Sequence, residues 1–339
     1  MQVTTVGLDL AKNIFRVHGV TAKGDIVFNR ALRRGQVLRF FDKLAPCLIG
    51  MEACGTSHHW ARELSKLGHQ VRLIPPVYVK PYVKRGKSDA ADAEAICEAV
   101  GRPTMRFVAI KSVEQQALLS LHRSRDLIVR QRTQTVNALR GLVAEFGHVV
   151  ARNIGNASRL AKDILEGNGP ELPEMAEAAI GELCRHLLDL GDRVRWFDRQ
   201  IATAARQDDR IRLLQTIPGV GPMTASAIVA TVGTPDQFRN GREFAAWIGL
   251  TPLNRSTGGK ERLGRISKMG DRYLRRLLVS GMTSRVRTAR ARPERADPWV
   301  AALLERKPTR LVTVAMANKT ARIIWAVLTR NEAYRPAAT

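Results

Sequence analysis

The stretch VTTVGLDLAK, residues 3–12, decides how the first third of this 339-residue chain is read. Its β-branched and apolar residues from Val3 to Leu10 predict a buried strand with an acid, Asp9, at its end. Working outward, Phe15–Val20 and Asp25–Asn29 read as two more short strands, with Gly24 supplying a turn. Cys47–Glu52, CLIGME, is a further strand that again ends on an acid. Ser57–Leu67 predicts a helix and Gln70–Ile74 a strand stopped by Pro75 and Pro76. Ser88 then reads as an N-cap before the Ala-rich helix Asp89–Val100. Three strands, then strand, helix, strand, helix predict a mixed sheet flanked by helices.

On this layout Asp89 and Asp92, three apart, project from one helix face. If Asp9 and Glu52 end neighbouring strands beneath that helix, four carboxylates converge. Their repulsion would be relieved by a divalent cation, Mg²⁺ or Mn²⁺, which would also polarise a phosphodiester. Each acid alone is read as easily as a turn residue or a first-turn helix acid. Their order, Asp, Glu, Asp-x-x-Asp on strand, strand, helix, describes an α/β, RNase H-like core. His58 and His59 follow Glu52 closely, but solvated helix positions explain them.

From about residue 113 the strand signals stop. Ile180, Leu183, Leu187, Leu190, Val194, Phe197 and Ile201 alternate three and four apart, the seam of a helical hairpin or of a coiled coil between copies. Gln115–Glu145 is helical on a looser stripe interrupted by Arg125 and Arg132, and Asn153–Pro173 reads as the turn between the two helices. Residues 205–339 form a second, mainly helical and basic unit. The expected division is 1–110, a helical connector 111–204, and 205–339.

The balance of charge is abnormal: 55 Lys plus Arg oppose 31 Asp plus Glu, a formal +24, with 42 of the cations Arg. Such an excess predicts a polyanionic partner, and the planar guanidinium fork favours phosphate. Aromatics at 5% argue against a base-stacking single-strand binder. The N-terminus has no basic segment followed by a long apolar run, and the four cysteines show no CxxC spacing. A cytoplasmic, nucleoid-associated protein without a membrane span is expected.

Two basic-half motifs suit phosphate contacts. In LLQTIPGVGPMTASAIVA, residues 213–230, two helices flank Pro-Gly-Val-Gly, a helix-hairpin-helix. There the amides near Gly219 and Gly221 and in the following helix around Thr224 would face a phosphate. In GLTPLNRSTGGKERLGRISKMGDRYLRR, residues 249–276, Ser256 and Thr257 precede Gly258-Gly259. Arg255, Lys260, Arg262, Arg265 and Lys268 surround them, and Arg272, Arg275 and Arg276 follow on a helix whose other side carries Leu274, Leu277, Leu278 and Met282. A hydroxyl among such cations could attack a phosphodiester, although an ordinary turn serine in a phosphate-binding loop fits the same residues.

GLDLAK, GMEACGT, KSDAADAEAI, IPGVGPMTA and the long motif at 249–276, in this order, resemble the insertion-sequence transposases of the "one-ten" family, in its "eleven-eleven" branch, related to the Piv and MooV DNA invertases. The resemblance spans residue 3 to about 330. It implies a RuvC-like N-terminal domain with a DEDD site at Asp9, Glu52, Asp89 and Asp92, a coiled-coil connection, and a C-terminal transposase domain with a nucleophilic serine. That serine aligns with Ser256, or with Thr257 if the gap is placed on the other side. It further implies double-stranded DNA as substrate and a noncoding guide RNA from the element. Two dimers would join in a synaptic tetramer in which one protomer's acids meet another's serine. The competing readings are a RuvC-like Holliday-junction resolvase or nuclease that uses water, and a non-catalytic nucleic-acid-binding protein.

Overall fold

In the computed structural model, which describes residues 2–83, 89–255 and 262–336, the N-terminal β-rich runs become five strands. They are β1 (Thr5–Asp9), β2 (Ile14–Val20), β3 (Ile26–Arg33), β4 (Leu48–Glu52) and β5 (Gln70–Ile74). The sheet order is β3-β2-β1-β4-β5. β1, β2 and β3 are joined antiparallel, whereas β4 and β5 extend the sheet parallel to β1. The expected mixed sheet is therefore present; only β3 runs farther than the sequence suggested, to Arg33.

Side chains alternate across a strand, so each strand serves two layers. One face buries Val6, Leu8, Phe15, Val17, Ile49 and Met51 under helices α1 (Val37–Asp42) and α2 (Ser57–Lys66). The short helix α3 (Pro76–Val79) follows β5, and α4 (Asp89–Val100) covers the opposite face. There Gly7 of β1 and Gly50 of β4 are paired across the strands. A Cβ on Gly7 would lie 2.0 Å from the Ala93 carbonyl oxygen, and one on Gly50 would lie 2.7 Å from the Val100 Cβ. Helix α4 thus rests on backbone, closer than any side chain would permit.

The chain divides into compact units Met1–Val113 and Glu114–Thr339. The second contains α5 (Val113–Glu145), α6 (Ile154–Leu165), α7 (Glu174–Gln207), α8 (Asp209–Leu214), α9 (Pro222–Val232) and α10 (Gly241–Ile248). A hairpin of β6 (Pro252–Asn254) and β7 (Leu263–Ile266) follows, then α11 (Arg272–Ala291), α12 (Pro298–Arg306) and α13 (Thr309–Arg330). Of the 111–204 segment, read as a connector, residues 114–204 belong to the same unit as these C-terminal helices.

Two details differ from the sequence reading. Asn153–Pro173 is not a bare turn: it holds α6, capped by the Asn153 side chain accepting from the Gly155 N–H at 2.9 Å. Ala157, Ala161 and Ile164, one face of that helix, are buried against Val136, Leu139 and Val143 of α5 and Ile180, Cys184 and Leu187 of α7. The α7 seam is consequently consumed inside one chain. Ile180, Leu187, Leu190, Val194 and Ile201 are buried while Leu183 and Phe197 are half-buried, so a coiled coil between copies would need another face. Helix α13 is long and apolar enough to cross a membrane by length and composition. Its buried side, including Val312, Ala317, Ala321 and Ile324, belongs to the main core of the second unit, against α10 and α11.

The close approach of α4 gives a direct test. Gly7→Ala should destabilise the protein by about 1–3 kcal/mol in urea unfolding through overpacking. Gly35→Ala, where an added Cβ meets nothing within 4 Å, should stay within about 0.5 kcal/mol of wild type. Equal stability of the two variants would refute the packing account.

Candidate active site and nucleic-acid interface

Asp9 closes β1 and Glu52 closes β4, neighbouring parallel strands whose last registered pair is Leu8 with Met51. Gly7 and Asp9, and likewise Gly50 and Glu52, point to the α4 side because they are two apart. On α4, Asp89, Asp92, Ala93, Ile96, Cys97 and Val100 form one helical stripe, and the glycine contacts fix the last four over the sheet. The first turn of that stripe therefore carries Asp89 and Asp92 toward the two strand ends. Burial raises the Asp9 carboxyl above the ordinary range, and the charges of Asp92 and Asp89 raise it further. Glu52 is raised in the same way by burial and by Asp9 and Asp92. The four acids predicted from sequence thus share one electrostatic neighbourhood. Among the described residues, no three His, Cys, Asp or Glu side chains come close enough together to cage a metal ion.

One residue at this site escaped sequence reading. Arg16 of β2 pairs in register with Asp9 and so shares its sheet face. Its Nε is buried with no hydrogen-bond partner among the described residues. Strand register is its only signal, which the linear sequence does not display. His58, by contrast, is not part of the acid site: α2 lies on the opposite face of the sheet, and the His58 Nδ1 accepts from the Lys111 N–H at 3.2 Å. His59 is exposed beside Trp60, with ring centroids 5.4 Å apart.

In the second unit, α8 and α9 form the expected helical hairpin. Gly219 takes φ +87° at the turn, and an added Cβ there would lie 2.4 Å from Met282 Cε of α11. Gly221 is exposed and caps α9 without any side-chain hydrogen bond, with Pro222 at the first helical position. The first-turn amides of Met223 and Thr224 are left for an outside acceptor. The Thr224 side chain is buried, so only its amide can serve.

Ser256, Thr257 and Lys260, like Ser88 before α4, lie outside the described residues. The residues flanking the serine segment, Arg255 and Arg262, are joined by a backbone hydrogen bond of 2.8 Å that extends the β6–β7 hairpin, a pairing missed in the sequence. Arg255, Arg262, Arg265, Lys268 and Arg272 are exposed. Two residues predicted as phosphate contacts also make internal bonds. Arg275 donates to the carbonyls of Ile248 at 2.7 Å and Met269 at 3.0 Å, and Arg276 pairs with Asp126 of α5 and lies 5.2 Å from the Tyr273 ring centroid.

A buried polar cluster also ties these helices together. The Ser226 hydroxyl donates to the Pro222 carbonyl at 2.6 Å and so accepts from His122 Nε2 at 3.0 Å. The Tyr273 hydroxyl then donates to His122 Nδ1 at 3.0 Å. Burial pushes the His122 pKa down to about 4, which keeps the imidazole neutral in this chain of bonds.

Residues 6–147 match a family model for DEDD-type transposases, and residues 211–297 match one described as "Transposase IS116/IS110/IS902 family". The chain is 50% identical to a probable family 20 transposase of Pseudomonas aeruginosa over 99% of its own length and 100% of that protein's. It is 38% identical to the transposase for insertion sequence element IS1328 of Yersinia enterocolitica, covering 98% of each chain. To the transposase for insertion sequence element IS1111A of Coxiella burnetii it is 37% identical, over 98% of this chain and 92% of the other. With acids of the expected kind gathered at the strand ends and relatives matched end to end, the chain belongs to the IS116/IS110/IS902 family and is an insertion-sequence transposase, an enzyme of DNA recombination.

Proposed function

We propose that the first unit is a RuvC-like, RNase H-like catalytic domain. Strand order β3-β2-β1-β4-β5 with an antiparallel first half supports this reading. The observation that carries it is the gathering of Asp9, Glu52, Asp89 and Asp92 at the carboxyl ends of β1 and β4. An all-carboxylate donor set suits hard Mg²⁺ or Mn²⁺, which when bound would neutralise the cluster and polarise the scissile phosphate. Arg16, whose buried Nε has no hydrogen-bond partner among the described residues and which pairs in register with Asp9, is the cation we assign to a non-bridging phosphate oxygen.

Ser256 is the nucleophile in this reading, with Thr257 as the second choice. Its hydroxyl loses a proton and forms an Oγ–P bond, while the bond from phosphorus to one sugar oxygen breaks and that oxygen leaves as a strand-end hydroxyl. The phosphoserine link preserves a reactive phosphoester for rejoining. The amides at the start of α9 and the exposed cations Arg255, Arg262, Arg265, Lys268 and Arg272 hold duplex DNA by its backbone, without reading sequence. A net charge of +24 also suits a second polyanion, and we assign that role to a noncoding guide RNA from the element, bound by dimers that pair into a tetramer on synapsis.

With Mg²⁺, element DNA and its RNA, the protein should form a denaturant-resistant DNA adduct that is absent in Ser256→Ala and present in Thr257→Ala. Nicked DNA without any adduct would select the water-using nuclease instead. Asp9→Asn should lower strand cleavage by at least about 100-fold while duplex binding persists; full cleavage by that variant would make the acids structural. The pH dependence of stability has a defined sign. A carboxyl whose pKa is raised by folding contributes stability when protonated, and that stability is lost as pH rises through the folded value. Metal-free Asp9→Asn should therefore melt higher than wild type at pH 8, and the gap should close as pH falls into the carboxylic range.

A further inference from the structure

An open groove lies beside α3, lined by Tyr78, Pro81, Tyr82, Thr104, Met105 and Arg106. It holds two of the four tyrosines in the chain, a concentration that the low aromatic content conceals. Tyr78 is 40% exposed, while its neighbour Val79 is buried in a small core with Ile74, Ile96 and Val100, against which Tyr82 also packs. Tyr82 is thus held by packing, while Tyr78 is accessible. Arg106 on the lining is exposed, as is Lys80 next to the lining residue Pro81, and among the described residues no carboxylate lines the groove. Arg102, paired with Glu98, also lies 6.0 Å from the Tyr82 ring centroid.

The position of the groove matters as much as its chemistry. Ile74 pairs with Glu52, and Tyr78 follows Ile74 by four residues. Because β1, β4 and β5 are parallel, α3 leaves β5 at the same end of the sheet, the carboxyl end of these strands, that carries Asp9 and Glu52. β5 is two strand spacings, about 10 Å, from β1. An accessible aromatic face with a cationic border suits a ligand that alternates planar rings and phosphates. In an intact duplex the base faces are hidden in the stack, so the ligand must be unpaired.

We propose that this groove binds unpaired nucleotides, stacking bases on Tyr78 and Tyr82 and meeting phosphates with Lys80 and Arg106, beside the acidic site. The proposal rests on the acid cluster being the reaction centre only for its role, since binding itself is measured without cleavage. The test uses full-length protein in EDTA, with a fluorescent 12-mer as single-stranded DNA, as single-stranded RNA, and as the DNA duplex. Tyr78→Leu should weaken binding of at least one single strand by about tenfold, the size expected for loss of one stacked base, with duplex affinity unchanged. Tyr78→Phe should stay within about twofold of wild type because it keeps the stacking face. The single strand that shows the loss identifies the natural ligand as DNA or RNA. Wild-type affinity of Tyr78→Leu for both single strands, or an equal loss on the duplex, would overturn the proposal. Failure of the acid-site reading would show separately, as undiminished cleavage by Asp9→Asn.

Discussion

Helix α4 lies directly on the backbone of β1 and β4 because residues 7 and 50 have no side chains. The rest of the catalytic arrangement depends on that contact. It sets the height of the helix above the sheet and, through the 3.6-residue repeat, which of its residues face downward. The stripe that buries Ala93, Ile96 and Val100 over the glycines carries Asp89 and Asp92 over the strand ends one turn earlier. The cost is visible in Asp9 and Glu52, whose carboxyls are raised by burial and by neighbouring acid charges, Asp92 and Asp89 on Asp9 and Asp9 and Asp92 on Glu52. A fold optimised only for stability would not gather acids there; concentrating like charge at a half-buried site is characteristic of functional sites.

Close backbone approach recurs in the second unit. Gly219 at the hairpin turn and Gly281 of α11 meet so closely that a Cβ on Gly281 would lie 2.3 Å from the Gly219 carbonyl oxygen. This contact seats the uncapped start of α9 against the helix that follows the serine segment. The neutral bonds among His122, Ser226 and Tyr273 link α5 to the same two helices. The second unit thus presents the first-turn amides of α9 on a braced support.

The structure also sorts the charge. Arg125 pairs with Asp198, Arg276 with Asp126, and Arg275 with two carbonyls, so these three guanidinium groups are engaged in internal bonds. Exposed ion pairs of this kind add little stability individually, but they remove guanidinium groups from the inventory available to DNA. Along β7 and the start of α11, Arg262, Arg265, Lys268 and Arg272 remain exposed as a local group of cations.

The five strands of the first unit, α2 and α4, and the placing of each acid on one of these elements were legible in the sequence because they depend on side-chain periodicity among near neighbours, whereas the short α1 and α3 and the β6–β7 hairpin were not. The stripe joining Asp89 and Asp92 to Ile96 and Val100 is of this kind. Helix α6 was missed because the Gly- and Pro-rich residues around it imitate a turn, while its apolar face is completed only by α5 and α7. That β1 and β4 are neighbours, that Arg16 stands beside Asp9, that Arg275 is bound to carbonyls, and that Tyr78 and Tyr82 gather near Glu52 were decided by the tertiary structure alone. Each requires residues distant along the chain to meet, and which of them do so is settled by sheet order and packing, which local periodicity does not encode.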